Sequence, residues 1–299
     1  MSADLLKKLR YKLDSSRKYY VNCDQFTKDP GAFHLNTMLK YETDLHVIQA
    51  TVERYLDYQE FSNQIVIKMA KYYKTLKKEY DIGNTLQNIP GFIRFICIFQ
   101  CYDNTSAELP LQICNSTLKD ETTRKLVLIM PYYPHGSIRN FPWIARHSPI
   151  LKSLLKQIVA SIYLAFQQYG FLHSDLHLDN VLITTTKDPT IYYNRQIIIT
   201  SHGYQAVVMD FEMSFLGIEQ TIENRKFYWA DLLSTFNRLY ELTTIATVNL
   251  EQLVSFLNNA RMKFLDIKRT PELFKFIDQL EFVDSDRTKY SHKYNPNVY

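Results

Sequence analysis

Residues 173–182 read His173-Ser174-Asp175-Leu176-His177-Leu178-Asp179-Asn180-Val181-Leu182, and this stretch decides how the rest of the chain is interpreted. It places an aspartate five positions before an asparagine, between an apolar approach at Phe171-Leu172 and an apolar exit that continues to Ile183. A second carboxylate, Asp210, follows the apolar run Val207-Val208-Met209, which suits a buried strand that ends at this aspartate.

Asp175, Asn180 and Asp210 supply the functional groups that a metal-dependent phosphoryl transfer needs. An aspartate can orient an acceptor hydroxyl as a general base, while an amide oxygen and a second carboxylate can hold Mg²⁺. Taken singly, the three residues have simpler explanations: a surface aspartate, a turn asparagine and a turn at the end of a strand. Their spacing and the apolar strands behind them favour the functional interpretation.

This segment resembles the catalytic loop of the protein-kinase superfamily, and Asp210-Phe211-Glu212 resembles its metal-binding Asp-Phe-Gly motif with the glycine replaced. Three further stretches resemble, in the family's order, the strand with the phosphate-binding lysine, the hinge between two lobes, and the start of a buried helix that braces the catalytic loop. They are Ile65–Lys68, Met130–Ser137 and Tyr228–Leu232. The variant H-x-D-L-H-x-x-N is similar to divergent kinases of large DNA viruses and, less so, to aminoglycoside and choline kinases.

The resemblance covers about residues 40 to 245 and implies an α+β, bilobal protein-kinase-like fold. Such a fold has a small β-rich N-lobe with one main helix and a larger α-helical C-lobe. We therefore expect a basic N-terminal extension over residues 1–34, a nucleotide-binding N-lobe over 35–130, and a C-lobe with the catalytic loop over 131–299.

The hydrophobic patterns agree with this division. They predict a helix over 71–88 and, in the first half, strands over 45–48, 52–58, 64–69, 92–102 and 124–130. In the second half, apolar residues recur at helical spacing from Ile150 to Phe166, with Ser148 and Pro149 as N-cap and first helical residue and Gly170 at the end. The long gap from Asn180 to Asp210 predicts a hairpin insertion within 184–204.

The resemblance also assigns roles to individual residues. It implies that Asp175 is the catalytic base, that His173 scaffolds the same catalytic loop, and that His177 takes the place of the lysine near the transferring phosphate. It also implies that Asn180 and Asp210 are the Mg²⁺ ligands. For the nucleotide it implies a phosphate-binding lysine, a carboxylate that pairs with that lysine, and two hinge residues, namely Lys68, Glu79, Met130 and Tyr132.

Several of these residues also have plain structural explanations. A single lysine such as Lys68 is by default solvent-facing, and Glu79 could equally belong to a solvated helix face with Lys77 and Lys78. The two histidines could serve packing and hydrogen bonding; as a neutral imidazole, His177 could donate one hydrogen bond near a transferring phosphate.

The sequence departs from the family pattern in ways that bear on function. The absence of glycine between Gly31 and Gly83 means that a glycine-rich phosphate-binding loop is missing. Ser174 stands where many kinases carry an arginine that binds a phosphate group on the activation loop. We therefore expect that phosphorylation of this loop does not switch the protein on. The short segment from Asp210 to Asp231 reduces the platform for a protein substrate.

Three functions therefore compete. The first is an ATP- and Mg²⁺-dependent Ser/Thr protein kinase, favoured because Lys68, Asp175, Asn180 and Asp210 are all present. The second is a small-molecule phosphotransferase similar to aminoglycoside or choline kinases, favoured by Glu212 and the short segment after Asp210. The third is a nucleotide-binding pseudokinase scaffold, favoured by the missing glycine-rich loop.

Composition sets outer limits on these alternatives. The chain of 299 residues has 46% hydrophobic residues and a net charge of +4, which fits binding a polyanionic nucleotide; we find no nucleic-acid motif. We expect no membrane span and no signal peptide, and hence a location in the cytoplasm, or in a virion if the protein is viral. The four cysteines are expected to be reduced, buried thiols. A protein substrate is the expected partner, and the basic N-terminus could provide a docking segment.

Overall fold

The computed structural model describes residues 33–41, 45–52, 64–70, 73–102 and 124–285. It shows a mixed α+β structure with an antiparallel sheet in the N-terminal part and most helices in the C-terminal part. The chain divides into two units, and each is described by itself. Unit 1 consists of Met1–Asn88, Ile93–Tyr133 and Asp210–Glu212; unit 2 consists of Ile89–Phe92, Pro134–Met209 and Met213–Tyr299.

Unit 1 is built on a five-stranded antiparallel sheet with strand order β1-β2-β3-β5-β4. Its strands are β1 (Phe33–Tyr41), β2 (Leu45–Val52), β3 (Gln64–Ala70), β4 (Cys97–Tyr102) and β5 (Arg124–Pro131), and its helix is α1 (Tyr73–Leu86). In β3 the side chains alternate between buried and half-buried up to Lys68, as a strand with one covered face requires. Leu76, Glu79, Tyr80 and Gly83 form the buried stripe of α1 at helical spacing.

The strand predictions for unit 1 hold in the centre of the sheet and differ at its margins. Strand β1 begins at Phe33, inside the predicted extension, and its alternation is broken by register shifts between Leu35 and Thr37 and between Met38 and Lys40. The predicted strand over 92–102 begins at Cys97; of the residues before it, Phe92 and Ile93 are buried and Phe95 and Ile96 half-buried, and residues 93–96 form no strand. Residues 53–58 of another predicted strand, and the N-terminal docking segment, lie outside the described residues.

Cys97 corrects one expectation. Its side chain is fully buried in β4, as predicted, but it is disulfide-bonded rather than a reduced thiol. Disulfides are uncommon in the cytosol, so this bond lends no support to the cytoplasmic location, which stays a prediction.

Unit 2 contains the long helix α2 (Ser148–Tyr169) and three later helices, α3 (Ile222–Asn237), α4 (Leu250–Met262) and α5 (Glu272–Gln279). Its strands form two-stranded antiparallel pairs: β6 (Val181–Thr185) with β9 (Tyr204–Val208), β7 (Thr190–Tyr192) with β8 (Ile198–Thr200), and β10 (Ile245–Val248) with β11 (Glu281–Asp284). The pair β7–β8 confirms the hairpin predicted between Asn180 and Asp210.

Helix α2 forms the core of unit 2. It ends as predicted at Gly170, which has φ 59° and donates its N–H to the carbonyl groups of Ala165 and Phe166. Its start differs by one residue, because Ser148 is the first helical residue and His147 occupies the N-cap. Within the described residues, Ala145–Tyr169 is long and apolar enough to cross a membrane, but 78% of the apolar window is buried inside the protein, as in the core helix of a globular domain.

Candidate active site

Three charged side chains, one of them far from the other two in sequence, meet in unit 1. Lys68 Nζ lies 2.7 Å from Glu79 Oε2 and 3.1 Å from Asp210 Oδ1. Lys68 is 12% exposed and Glu79 is 3% exposed, whereas Asp210 is 38% exposed. Glu79 therefore belongs to the buried stripe of α1 and not to a solvated face, which settles the alternative that the sequence left open.

The ionisation of these groups follows from their burial and pairing. Burial tends to lower the pKa of Lys68, but the Glu79 and Asp210 carboxylates outweigh it and raise that pKa above its ordinary value. Burial raises the pKa of Glu79 to about 6, although the adjacent Lys68 ammonium opposes the shift. At neutral pH, unit 1 thus holds an ordered, fully charged lysine beside a half-exposed carboxylate.

The backbone at Asp210 adopts a conformation that few non-glycine residues take. Its φ is 66°, and positive φ in such residues costs free energy that the surrounding structure must supply. Next to it, Phe211 is fully buried and its ring packs edge-on against Phe95 with the centroids 6.3 Å apart. Lys78 Nζ donates a hydrogen bond of 2.9 Å to the carbonyl of Glu212. These contacts hold the segment on which the Asp210 carboxylate is presented.

In unit 2, the loop before β6 is fixed by a carboxylate from α3. Asp231 Oδ2 accepts the backbone N–H of His173 at 2.7 Å, and Asp231 Oδ1 accepts that of Ser174 at 2.9 Å. Ser174 has φ 63°, so this bidentate contact restrains a second strained residue. Asp231 lies on the face of α3 that packs into the core. This position explains how the helix that contains Tyr228–Leu232 braces the loop.

Asp175 and Asn180 come together in the same loop. Asn180 Nδ2 donates to the backbone carbonyl of Asp175 at 3.0 Å and lies 3.5 Å from Asp175 Oδ2. His177 Nε2 lies 3.5 Å from the same carboxylate oxygen, while His177 Nδ1 accepts the N–H of Asp179. Because Nδ1 is an acceptor, the ring proton sits on Nε2 and faces Asp175. The Asp175 side chain is half exposed and therefore accessible to a substrate.

His173 makes its contacts inside the protein and not at the surface. It is fully buried, its Nε2 is 2.9 Å from the carbonyl oxygen of Met209, and its own carbonyl accepts Ser214 Oγ at 3.0 Å. These contacts connect the loop to the residue before Asp210 and to the segment after it. His173 is thus a positioning residue.

The two predicted hinge residues lie at the end of β5. Met130 is buried and pairs across the sheet with Val66. The backbone N–H of Tyr132 donates to Gln64 O at 3.2 Å, so this amide is engaged within the sheet. Any contact of Tyr132 with a nucleotide would therefore use another atom of the residue.

Sequence reasoning missed an ion-pair cluster next to the loop. Arg139 Nη1 lies 2.8 Å from Asp179 Oδ2 and 3.3 Å from Glu241 Oε2. Asp179 in turn bonds His177 through its N–H, so Arg139 stabilises the residue that orients the His177 ring. No local pattern indicates this cluster, because Arg139 and Glu241 are far apart along the chain.

The two predicted Mg²⁺ ligands, Asn180 in unit 2 and Asp210 in unit 1, each carry an oxygen donor of the kind that Mg²⁺ binds. The amide nitrogen of Asn180 is directed at the Asp175 carbonyl, which leaves the amide oxygen as the group for a cation, and Asp210 offers a half-exposed carboxylate. Among the described residues, no three His, Cys, Asp or Glu side chains gather as a metal site.

Comparisons with known proteins place part of this chain near kinases. Residues 101–224, which include the catalytic-loop segment and Asp210, match the family model of the ABC1 atypical kinase-like domain. This stretch is thus similar to a domain of the protein kinase-like superfamily, which implies a kinase-like phosphotransferase and, in general, the use of ATP and Mg²⁺.

Two viral proteins are more distantly similar. The chain is 23% identical over 150 residues to uncharacterized protein 038R of Invertebrate iridescent virus 3, which covers 46% of this chain and 28% of that protein. It is 34% identical over 73 residues to uncharacterized protein 098R of Invertebrate iridescent virus 6, which covers 22% of this chain and 12% of that protein. The matched regions span less than a third of either relative.

Proposed function

We propose that this chain is an ATP- and Mg²⁺-dependent kinase that transfers a phosphoryl group to serine or threonine hydroxyls of proteins. The observation that carries the proposal is the position of Lys68 Nζ between Glu79 and Asp210, at 2.7 and 3.1 Å. A buried carboxylate keeps this lysine charged and ordered, and the carboxylate on its other side is the predicted metal ligand. Such an arrangement is suited to nucleotide phosphates.

The proposed chemistry assigns one role to each polar group. Asp175 accepts a hydrogen bond from the acceptor hydroxyl and takes its proton, while Asn180 and His177 hold the Asp175 backbone and carboxylate in place. Asn180 and Asp210 would hold Mg²⁺, which neutralises phosphate charge when it is bound. Lys68 binds phosphate oxygens as a fixed cation. Catalysis then depends mainly on positioning and electrostatics.

A specific observation favours a second candidate, a small-molecule phosphotransferase. Residues 213–221, between the Asp210 motif and α3, form turns and irregular backbone without a helix. A short segment offers little surface on which a protein substrate could lie, and a small acceptor would need less.

Transfer of label from [γ-³²P]ATP in the presence of Mg²⁺ tests both candidates. Wild type, Asp175→Asn and the exposed control Asp188→Asn would be assayed on general protein acceptors and on a panel of aminoglycosides, choline and related alcohols. Label on protein Ser/Thr that is lost in Asp175→Asn and kept in Asp188→Asn supports the first candidate. Label on a small molecule alone moves the assignment to the second, and nucleotide binding without transfer in any assay contradicts both and indicates a pseudokinase.

A further inference from the structure

Helix α2 carries a buried polar stripe that the proposed reaction does not use. Ser153, Gln157 and Ser161 follow one another at intervals of four residues, and all three are buried among mostly apolar neighbours. Residues four apart lie on the same face of a helix. Burial of polar groups costs free energy unless they are hydrogen-bonded, so the partners of this stripe indicate what it does.

Gln157 binds the backbone of β9 with both ends of its amide. Its Oε1 accepts the N–H of Ala206 at 2.8 Å, and its Nε2 donates to the carbonyl of Tyr204 at 3.1 Å. A backbone N–H can only donate and a carbonyl can only accept, so the orientation of this amide is fixed by its partners. Ser153 Oγ accepts a further hydrogen bond from Nε2 at 3.0 Å.

These contacts complete the outer edge of β9. The strand pairs with β6 along its other edge, from Tyr204 opposite Thr185 to Val208 opposite Val181. Alternate residues of a strand direct their backbone groups to the same side, which places the outward groups at 204, 206 and 208. Gln157 occupies the first two positions in place of a neighbouring strand.

The third outward group is held by a segment that α2 also fixes. Val208 N donates to Gly91 O at 2.8 Å, and Ser161 Oγ donates to Pro90 O at 2.8 Å. Gly91 has φ 90°, and a Cβ at this position would lie 2.2 Å from Ser161 Oγ, so the close approach requires glycine.

The strand then leads directly to the predicted metal ligand. Met209 N donates to Asn180 O at 2.9 Å, and the next residue is Asp210 with its strained φ of 66°. We propose that Gln157 is a positioning residue for Asp210, which acts by locking the outer edge of β9 onto α2. This inference rests on the proposed function, because it takes Asp210 to be a metal ligand.

Removal of the amide should loosen the strand without touching the charged groups. Gln157→Met keeps the length of the side chain but leaves the Tyr204 carbonyl and the Ala206 N–H without their partner. Groups that support a metal ligand from behind commonly change metal affinity by about 10- to 100-fold when they are altered. We therefore expect Gln157→Met to weaken binding of the metal–nucleotide complex about tenfold.

The experiment uses Mn²⁺ with ADP as the probe, because bound and free Mn²⁺ are distinguished by electron paramagnetic resonance and no turnover is needed. The full chain would be titrated as wild type, Gln157→Met, and Gln168→Met, an exposed glutamine of the same helix. Gln157→Glu provides a second variant if the methionine variant does not fold. Its protonated carboxyl group can both accept from Ala206 and donate to Tyr204, so its Mn²⁺ affinity relative to wild type should recover as the pH falls.

The outcomes separate this inference from the proposed function. Weaker Mn²⁺ binding in Gln157→Met with unchanged binding in Gln168→Met supports a positioning role, as does the pH-dependent recovery of Gln157→Glu. A lower melting temperature with unchanged Mn²⁺ affinity shows a purely structural role and overturns the inference while the proposed function stands. Failure of the wild type to bind Mn²⁺ and ADP overturns the proposed function and the inference with it.

Discussion

The carboxylate of Asp231 accepts the backbone N–H of Ser174 at 2.9 Å, and Ser174 has a φ of 63°. A helix residue thus holds a strained loop residue directly before Asp175. The second carboxylate oxygen binds His173 N at 2.7 Å, and burial raises the pKa of Asp231 to about 7 despite these two donors. The free energy that burial of this carboxylate costs is offset by its two hydrogen bonds from backbone N–H groups.

Asp231→Asn should destabilise the protein and reduce phosphotransfer. The asparagine can accept from one backbone N–H, but its amide nitrogen is a donor and would face the other, so one buried N–H loses its partner. We expect a loss of about 2 kcal/mol in the free energy of unfolding, measured by urea denaturation. Asp188→Asn, on an exposed loop, is the matched control and should be neutral; equal stability of both variants would contradict the bracing role.

Lys68→Met should raise the KM for ATP and destabilise unit 1, because it leaves the Glu79 carboxylate buried without a cation. The double variant Lys68→Met/Glu79→Gln removes both charges and should regain most of the stability, but not the affinity for ATP. Thermal denaturation and nucleotide titration separate the two effects. The exposed Lys187→Met serves as control, and an unchanged KM in Lys68→Met would refute the phosphate-binding role of Lys68.

The proposed activity should decline as the pH falls through about 6, the pKa to which burial raises Glu79. Below that pH Glu79 is protonated and Lys68 loses the nearer of its two carboxylate partners, so the KM for ATP should rise. Glu79→Gln should have a high KM for ATP at every pH, and its pH–rate profile should lack the decline near pH 6. A pH–rate profile with the same acid limb in both proteins would show that another group is responsible.

The raised pKa of Glu79 also makes the free energy of unfolding depend on pH. The folded state binds this proton more readily than the unfolded state, whose pKa is 4.5. The contribution of Glu79 to the free energy of unfolding is therefore fully present below about pH 4.5 and is lost as the pH rises through about 6. Urea denaturation of wild type and Glu79→Gln across this range measures it as a difference that changes with pH.

Gly83→Ala should destabilise unit 1, although alanine favours helices by about 1 kcal/mol over glycine. A Cβ at Gly83 would lie 2.2 Å from Phe95 Cε2 and 3.1 Å from Phe211 Cε2, so both rings would have to move. The expected result is a lower melting temperature and weaker binding of Mg²⁺ and ATP, because Phe211 follows Asp210. Asn84→Ala, one residue further along α1, should raise the melting temperature slightly, because alanine has the higher helix propensity. If Gly83→Ala also stabilised the protein, the two rings would have to repack freely.

The segments with regular patterns were predictable from the sequence. Helix α2 followed from apolar spacing and Gly170, the strands β3 and β5 from short apolar runs, and the hairpin β7–β8 from the length of the gap before Asp210. Strand β1 was harder to place, because its two register shifts interrupt the alternation that identifies strands. The predicted start of β4 was too early, because the apolar residues Phe92, Ile93, Phe95 and Ile96 are at least half-buried without forming a strand.

The sequence by itself determined which polar groups belong to the candidate site, because the order and spacing of Asp175, Asn180 and Asp210 are local properties of the chain. Tertiary structure decided which neighbours control them. Glu79 is buried against Lys68, Asp231 holds Ser174, and Gln157 replaces a strand beside β9; the last two contacts join residues 57 and 49 positions apart in sequence. The resemblance already implied the Lys68–Glu79 pair and the bracing helix. The burial of Glu79, the strained backbone at Ser174 and the part played by Gln157 arise only when separate segments pack together, so no local pattern records them.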